Sequence, residues 1–400
     1  MNILKPFYYD DFKCVGGGCK DSCCIGWNIY IDKKSYKAYK NVKGEYYKKL
    51  KDGISRNRKD SDDLHYGDMK LENGKCKFLN KQNLCDIYID LGQEYLCNTC
   101  KIYPRVINKN GDIYEKGLKL SCPEVARMFV ELKDIFSFDM ENRELNKIEK
   151  QYTMHIENFK YNKDLYKVLW EGRSLSIEVA QFTQIDIWKR LVFINIIAEK
   201  LQNLINENKY NTLSRVIDEL RTMCTDYEVI VSLDNIEKVD EIKMKFVNIL
   251  LQRRMNIGAK NKTFIKLLEE FNEFFEKYDN IESCFKEKES RFNVYFKKYE
   301  KILENYIVYS LYNTYMECLY NKLVFDKSIL YLTLSYSTIK TLLMTRWNKN
   351  NENLTNEDII DVLYSFSRVI EHDEIFIQSL YDDLKVEGYI SLPYLTILVR

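Results

Sequence analysis

From about residue 140 onward, hydrophobic residues recur at intervals of three and four, the spacing of one buried face of an α-helix. The pattern predicts roughly eight to ten helices in this part of the chain. Three stripes are clearest: Trp188, Leu191, Ile194, Ile197, Leu201 and Leu204; Leu267, Leu268, Phe271, Phe274, Phe275 and Tyr278; and Phe292, Tyr295, Phe296, Tyr299, Ile302, Leu303 and Tyr306.

Local signals suggest where some helices begin and where loops lie. Thr212 and Thr355 are expected N-caps, and Asp358 follows Thr355 at capping-box spacing. Polar segments predict loops at residues 51–68 and 350–356, and a connector within the helical part at 231–241. There is no repeat of fixed period, although the pattern leaves a divergent array of helical hairpins open.

Cysteine usage separates the N-terminal third of the chain from the helical part. Nine of twelve cysteines precede residue 123, and three of the four prolines lie in the same third. We therefore predict a mainly α protein with an irregular, cysteine-rich metal-binding domain at residues 1–135. An all-α domain would follow at 140–400, with a candidate sub-boundary near 230–241.

Charge and hydropathy exclude some classes of partner. The 61 basic and 60 acidic side chains nearly cancel, so we expect no nucleic-acid partner. No apolar run is long enough to span a bilayer, and the N-terminus lacks a basic segment followed by an apolar signal core. We therefore expect a cytoplasmic protein without membrane insertion.

The spacing of the N-terminal cysteines predicts a metal centre. They form C-x4-C-x3-CC from Cys14 to Cys24, C-x8-C from Cys76, C-x2-C from Cys97, and a final Cys122. In a reducing cytoplasm such thiols favour a metal or cluster over disulfides. Zinc and iron–sulfur clusters both accept four thiolates, and nine thiols suit either two sites or one site with extra cysteines.

Other residues refine this prediction. Cys23 and Cys24 are neighbours, so in an extended segment their side chains would point to opposite faces. The three glycines from Gly16 to Gly18 would let the backbone wrap a metal. No C-x3-C-x2-C run and no strand followed by G-x-G is present. The three histidines are expected to be surface or packing residues rather than ligands: His65, His155 and His372.

The first cysteine block reads F-x-C…C-x-D-x-CC-x-G-W-x-I and resembles the flagellin lysine N-methyltransferases of the FliB type. The later blocks CKFL at Cys76, LCDIYIDLGQEYLCNTCKIYPR from Leu84 and LSCPEVAR from Leu120 are similar to that family's later motifs. They also resemble small cysteine-rich proteins described as zinc- or iron-chelating. The resemblance in motifs covers residues 12–127.

The resemblance implies methyl transfer from S-adenosylmethionine to lysine side chains of flagellin, in a protein that carries a [4Fe-4S] cluster. It also implies that Cys97 ranks below Cys100 as a ligand. Arg105 is a candidate to pair with a carboxylate of the cofactor or with the charge of a thiolate-rich cluster, and an ordinary structural ion pair is the alternative. Zinc is the alternative metal. The implied metal ligands are Cys14, Cys19, Cys23, Cys24, Cys76, Cys85, Cys100 and Cys122.

Lysine methylation adds a chemical requirement. Only the neutral amine attacks a sulfonium methyl, and at pH 7.4 only about 0.1% of an ordinary lysine is neutral. The site must therefore desolvate or deprotonate the lysine, and candidate bases are Glu94, Tyr103, Glu115 and Glu124. Two other interpretations stay open: a non-catalytic metal-chelating module with partner-binding helices, and a zinc-stabilised adaptor.

Overall fold

The computed structural model describes residues 1–58, 62–146, 149–150, 153–155, 162–257, 261–277, 281–317, 319, 325–371 and 373–400. Tyr278, Cys318, His372 and the side chain of His155 lie outside the described residues. The protein is mainly α, as the sequence predicts.

The cysteine-rich part combines short strands with short helices. Its helices are α1 (Lys33–Asn41), α2 (Glu45–Gly53), α3 (Asp86–Leu91), α4 (Asn98–Ile102) and α5 (Pro123–Val130). The strands are β1 (Asn2–Pro6), β2 (Tyr30–Ile31), β3 (Ile54–Arg56), β4 (Gly67–Met69), β5 (Leu71–Glu72), β6 (Lys75–Cys76), β7 (Arg105–Asn110), β8 (Ile113–Leu118), β9 (Phe138–Asn142) and β10 (Met154–His155).

Five strands form one sheet in the order β10-β7-β8-β1-β9. β7 and β8 make an antiparallel hairpin in which Arg105 pairs with Leu118, and β1 lies parallel to β8 and antiparallel to β9. Smaller sheets contain β2-β4-β3 and β5-β6. The predicted loop at 51–68 was wrong at both ends, because short strands with polar side chains have the composition of a loop.

Helices make up most of the remaining chain. They are α6 (Lys163–Ala180), α7 (Ile187–Asn206), α8 (Leu213–Thr225), α9 (Tyr227–Ser232), α10 (Asp240–Ile257), α11 (Lys262–Glu276), α12 (Ile281–Phe296), α13 (Glu300–Thr314), α14 (Phe325–Lys349), α15 (Asn356–Phe366), α16 (Glu374–Val386) and α17 (Leu392–Val399). Among the described residues this is more than the predicted eight to ten, because short helices such as α9 carry no long apolar stripe.

Two of the three apolar stripes are confirmed as single helices. They lie on α7 and α11, where Leu191, Ile194, Leu267 and Phe271 are almost fully buried. The third stripe was divided: α12 ends at Phe296, and a 3-10 turn precedes α13. Because the turn has only three residues, the apolar residues of the two helices keep the spacing of one continuous helix face. The hydrophobic pattern therefore does not show where one helix ends and the next begins.

The two predicted caps had different outcomes. The Thr355 side chain accepts a hydrogen bond from the Asp358 backbone N–H, and the Asp358 side chain accepts one from the Thr355 backbone N–H. These two bonds confirm the capping box. Thr212 occupies the N-cap position of α8, as predicted, but its side chain makes no cap bond, and its hydroxyl donates to the Lys209 carbonyl at 2.8 Å. The predicted loop at 350–356 is confirmed except for its last residue, where α15 begins. The predicted connector at 231–241 is confirmed only at residues 236–239, because α9 and a 3-10 turn extend to residue 235 and α10 begins at Asp240.

Buried side chains form two clusters. The larger, which we call the helical core, joins α6–α17 to residues 8–12 and 118–136. At its centre α14 contacts α7, α10, α11, α12, α13, α15 and α17. The smaller, which we call the cysteine core, contains Ile29, Ile31, Tyr39, Leu50, Ile54, Met69, Cys76, Phe78, Ile87 and Cys97. The domain division at 135–140 stays a prediction.

Among the helices of the described residues, none has the length and apolar character needed to cross a membrane.

Candidate metal centre

The nine N-terminal cysteines lie in two neighbouring groups. One belongs to the cysteine core or packs against it: Cys24, Cys76, Cys85, Cys97 and Cys100. The other lies toward the helical core, in which Cys122 is buried. Arg368 of that core contacts the residue before Cys122 and the residue before Cys23. The fold thus brings together cysteines from all four sequence blocks.

Backbone bonds align the first and second cysteine blocks. The Cys76 N–H donates to the Cys24 carbonyl at 2.8 Å, and the Gly26 N–H donates to the Gly74 carbonyl at 2.9 Å. Upstream, Gly16 has φ +57°, which glycine adopts without strain. This turn bends the chain between Cys14 and Cys19.

A buried carboxylate fixes the third block. Asp32 accepts from the Ser35 N–H at the start of α1 and from the Asn98 N–H at the start of α4, each at 2.9 Å. Cys97 precedes α4, and its Sγ lies 3.5 Å from Cys100 Sγ. Cys97 is thus placed in the same group as Cys100, and their order as ligands stays a prediction.

Cys23 and Cys24 differ in exposure, and their backbone conformation is not the extended one that the sequence suggested. They lie in a turn rather than an extended segment, and their thiols share a hydrogen bond. The extended conformation assumed for this pair was therefore wrong, and which of the two thiols faces a metal more directly stays a prediction. Cys23 is exposed, and the bond from Cys24 lowers the pKa of Cys23 to about 7. The same bond raises the pKa of Cys24.

The donor set fits a thiophilic metal by its chemistry. Burial raises the pKa of Cys76 and of Cys122 to about 12, and nearby thiolates add to both rises. A set of uncompensated thiolates is therefore unfavourable, and a bound cation would remove that penalty. Across the described residues, no three His, Cys, Asp or Glu side chains are already arranged as ligands of one ion.

Arg105 lies at the start of β7 and contacts the first cysteine block. Its Nη2 donates to the Phe12 carbonyl at 3.0 Å, and its guanidinium lies 4.7 Å from the centre of the Phe12 ring. These contacts hold the chain two residues before Cys14. Cofactor binding by Arg105 stays a prediction.

The four candidate bases have different surroundings. Glu115 is buried and paired through both carboxylate oxygens with Arg173. Glu124 is paired with Arg127 at 2.6 Å, and Glu94 is exposed. These contacts leave Tyr103 as the candidate that faces the cysteines.

Tyr103 lies between the cysteine groups and the helical core. Its hydroxyl is 3.0 Å from Ser121 Oγ, and its ring centre is 5.4 Å from that of Trp27. Trp27 in turn donates to the Cys23 carbonyl at 2.7 Å. Burial raises the pKa of Tyr103, and the charge of Arg368 opposes that rise.

Sequence reasoning missed the helical residues that reach the cysteine loops, chiefly Arg368 and Asn261. Both contact Asp21, between Cys19 and Cys23. They are 240 or more positions away in sequence, so no local pattern marks them. The one available signal was Asp21 itself, which lies within the quoted cysteine motif.

His65 is half-buried and packs against a neighbouring ring, which agrees with the prediction of a surface or packing residue. It hydrogen-bonds Asp68 at 2.7 Å and stacks on Tyr30, with ring centres 3.8 Å apart.

Comparisons with known proteins match most of the helical part. The model of the FliB lysine N-methylase C-terminal domain matches residues 173–398, from the middle of α6 to the end of α17. This match lies outside residues 12–127, which carry the cysteine motifs. No solved structure matches the chain.

Individual relatives match a shorter length. The flagellar biosynthetic protein FliU of Salmonella muenchen is 32% identical over 129 residues, which are 32% of this chain and 75% of FliU. The lysine-N-methylases of Salmonella choleraesuis and Salmonella typhimurium are each 32% identical over 129 residues. The chain spans 32% of the length of each of these two relatives.

Proposed function

We propose that this chain, which belongs to the FliB lysine N-methylase family, transfers methyl groups from S-adenosylmethionine to the ε-amino groups of lysines on flagellin in the cytoplasm. The family match over residues 173–398 is the observation that carries this proposal. Two relatives are lysine-N-methylases, and a third is a flagellar biosynthetic protein. Those names support lysine as the acceptor and a flagellar protein as the substrate.

The proposed cofactor is a [4Fe-4S] cluster held by thiolates of the cysteine groups, with zinc as the alternative metal. The candidate ligands are Cys14, Cys19, Cys23, Cys24, Cys76, Cys85, Cys97, Cys100 and Cys122. A bound cluster would anchor the N-terminal segment or would bind the amino and carboxylate groups of the methyl donor.

For the acceptor lysine, the chain offers Tyr103 as the proton acceptor. Its hydroxyl lies beside Ser121, and the charge of Arg368 partly offsets the rise in the Tyr103 pKa that burial causes. We expect Tyr103→Phe to lower kcat about 100-fold or more, the usual contribution of a general base, with unchanged metal content. Glu124→Gln is the matched control, because Glu124 pairs with Arg127. Equal activity of wild type and Tyr103→Phe would exclude Tyr103 as the base.

The central test is intact mass measurement of unmodified flagellin after incubation with S-adenosylmethionine and anaerobically purified, metal-replete protein. We expect methyl-sized mass increments. Cys76→Ala should lose both the activity and the visible absorbance of an iron–sulfur centre. Cys224→Ala is the control, since Cys224 is buried in α8. Flagellin of unchanged mass would refute methyl transfer and favour the chelating module.

The helical part is the proposed docking region for flagellin, because surface lysines must be presented by a large partner. Deletion of residues 230–400 would not be a selective test, because it also removes Asn261 and Arg368, which contact Asp21 in the cysteine loop. Substitutions of exposed helix residues are more selective. Ile375→Asp and Val294→Asp change side chains that are 84% and 80% exposed, and flagellin binding by each variant can be compared with wild type.

A further inference from the structure

The three residues between Cys19 and Cys23 are all held by the helical part of the chain. Lys20 Nζ lies 2.8 Å from Glu357 Oε2 and 2.7 Å from Asp361 Oδ1, both on α15. The Ser22 carbonyl accepts from Arg368 Nη1 at 3.1 Å. The position of this loop is therefore set by residues more than 300 positions away.

Asp21, in the middle of the loop, receives two further contacts. Its Oδ2 forms an ion pair with Arg368 Nη1 at 2.8 Å and accepts a hydrogen bond from Asn261 Nδ2 at 2.6 Å. Asn261 is buried and also caps α11, by accepting from the Phe264 N–H at 2.9 Å. Asp21 is thus fixed to the start of a helix as well as to a buried cation.

Arg368 also reaches the segment that carries Cys122. Its Nε and Nη2 donate to the Ser121 carbonyl at 3.1 and 2.9 Å. One guanidinium therefore connects the loop from Cys19 to Cys23 with the residue before Cys122. The planar group offers five donors in a fixed arrangement, which a lysine ammonium cannot reproduce.

The backbone around Arg368 is anchored from its other side. Residues Ser367–Glu371 form a π-helical turn after α15. In that turn Glu371 accepts from Ser367 Oγ and from the Tyr306 hydroxyl, the latter at 2.9 Å. Tyr306 is buried in the helical core, and Arg368 itself is only 6% exposed. A chain of contacts thus runs from the helical core through the π turn to the cysteines, and π turns are frequent at functional sites.

We propose that Arg368 is a positioning residue that fixes the placement of Cys19, Cys23 and Cys122 relative to one another, so that the helical part completes the candidate metal centre. Its role toward a metal rests on the proposed function. Its placement of the three cysteines is a property of the chain alone.

The test measures thiol labelling of the full chain in its reduced, metal-free form, using a maleimide reagent and peptide-resolved mass spectrometry. Arg368→Lys should label Cys19 and Cys122 about threefold faster or more, because their segments open locally. Cys224, buried in α8, should keep its rate. Asp21→Asn should accelerate Cys19 alone, since Ser121 keeps its contacts with Arg368.

Arg190→Lys is the matched control for a buried arginine. Arg190 is 1% exposed and contacts Glu304 and the Ala180 carbonyl, so its substitution should leave the labelling of Cys19 and Cys122 unchanged. Thermal unfolding by circular dichroism verifies that each variant is folded. Unchanged labelling in Arg368→Lys, or equal acceleration of every cysteine, would overturn the proposal.

A second measurement separates this inference from the proposed function. Each variant is reconstituted with iron and sulfide, and iron per chain is counted. We expect a loss of at least half the iron in Arg368→Lys and none in Arg190→Lys. If wild type binds no iron while Arg368→Lys still shows localised labelling, the cluster proposal fails and the positioning role stands. If Arg368→Lys binds iron as wild type does, with unchanged labelling, the positioning role fails.

Discussion

The helical core and the cysteine core are held together in different ways. The helical core is built from long helices whose apolar faces surround α14. The cysteine core has ten buried members, two of them cysteines, and its elements are short. A core of that size contributes little stability alone. The cysteine region therefore relies on contacts with neighbouring segments, and on a metal if one is bound.

The largest expected effect comes from a substitution that removes the ion pair between the sheet and the helical core. Arg173→Met leaves Glu115 buried without its cation and should cost about 3–5 kcal/mol of unfolding free energy. Chemical denaturation followed by circular dichroism measures it. Arg215→Ala is the control, because the Arg215–Glu219 pair is exposed and should contribute less than about 0.5 kcal/mol. A loss below about 1 kcal/mol for Arg173→Met would contradict this account.

Acid should weaken the helical core through another buried pair. Burial opposes the ionisation of Glu289, but Lys243, together with the charges of Lys340 and Lys238, outweighs it and lowers the pKa of Glu289 to about 2. The folded pKa lies below the unfolded value, so this stabilisation is present above about pH 4.5 and is lost as the pH falls toward 2. The loss is up to about 3 kcal/mol.

Denaturation at pH 6, 4.5 and 3 tests this pH dependence. Glu289→Gln should show a shallower decrease of the unfolding free energy than wild type. Glu219→Gln is the control, because Glu219 is exposed and should leave the decrease unchanged. Parallel curves for wild type and Glu289→Gln would rule out the pair as the cause.

Removal of metal should raise the hydrogen-exchange rates of the cysteine core without changing those of the helical core. In metal-replete protein, chelation should speed hydrogen exchange about tenfold, about 1.4 kcal/mol, at the Cys76, Asp86 and Asn98 amides. These amides bond to Cys24, Phe78 and Asp32 within the cysteine region. Amides of α7 and α14 should keep their rates. Equal acceleration in both cores would show that they open as one unit.

The smallest expected effect is the difference between substitutions of the two threonines at helix starts. Thr355→Ala should cost about 1 kcal/mol of unfolding free energy, because it removes a capping box. Thr212→Ala should change it by only about 0.3 kcal/mol, since its hydroxyl does not cap α8. Equal losses in the two variants would contradict the assignment.

Features that depend on local spacing could be predicted from the sequence. The stripes on α7 and α11 and the Thr355 cap involve residues a few positions apart, and the cysteine spacing indicated a thiol-rich site. The strands escaped prediction because most are short, and one stripe continued across a 3-10 turn. Arg368 escaped because its contact with Ser22 spans 346 positions. The fold thus supplies what spacing cannot: which distant segment closes the site.

That same separation has a consequence for the order of events during synthesis. A ribosome adds about 5–20 residues per second, so Ser22 precedes Arg368 by roughly 17 to 70 s. During this interval the cysteines around Asp21 have been translated, but at least one of Asn261 and Arg368 has not. If Arg368 sets the cysteine spacing, a nascent chain cannot assemble the finished site. Its thiols would have to stay reduced until nearly the whole protein has been translated.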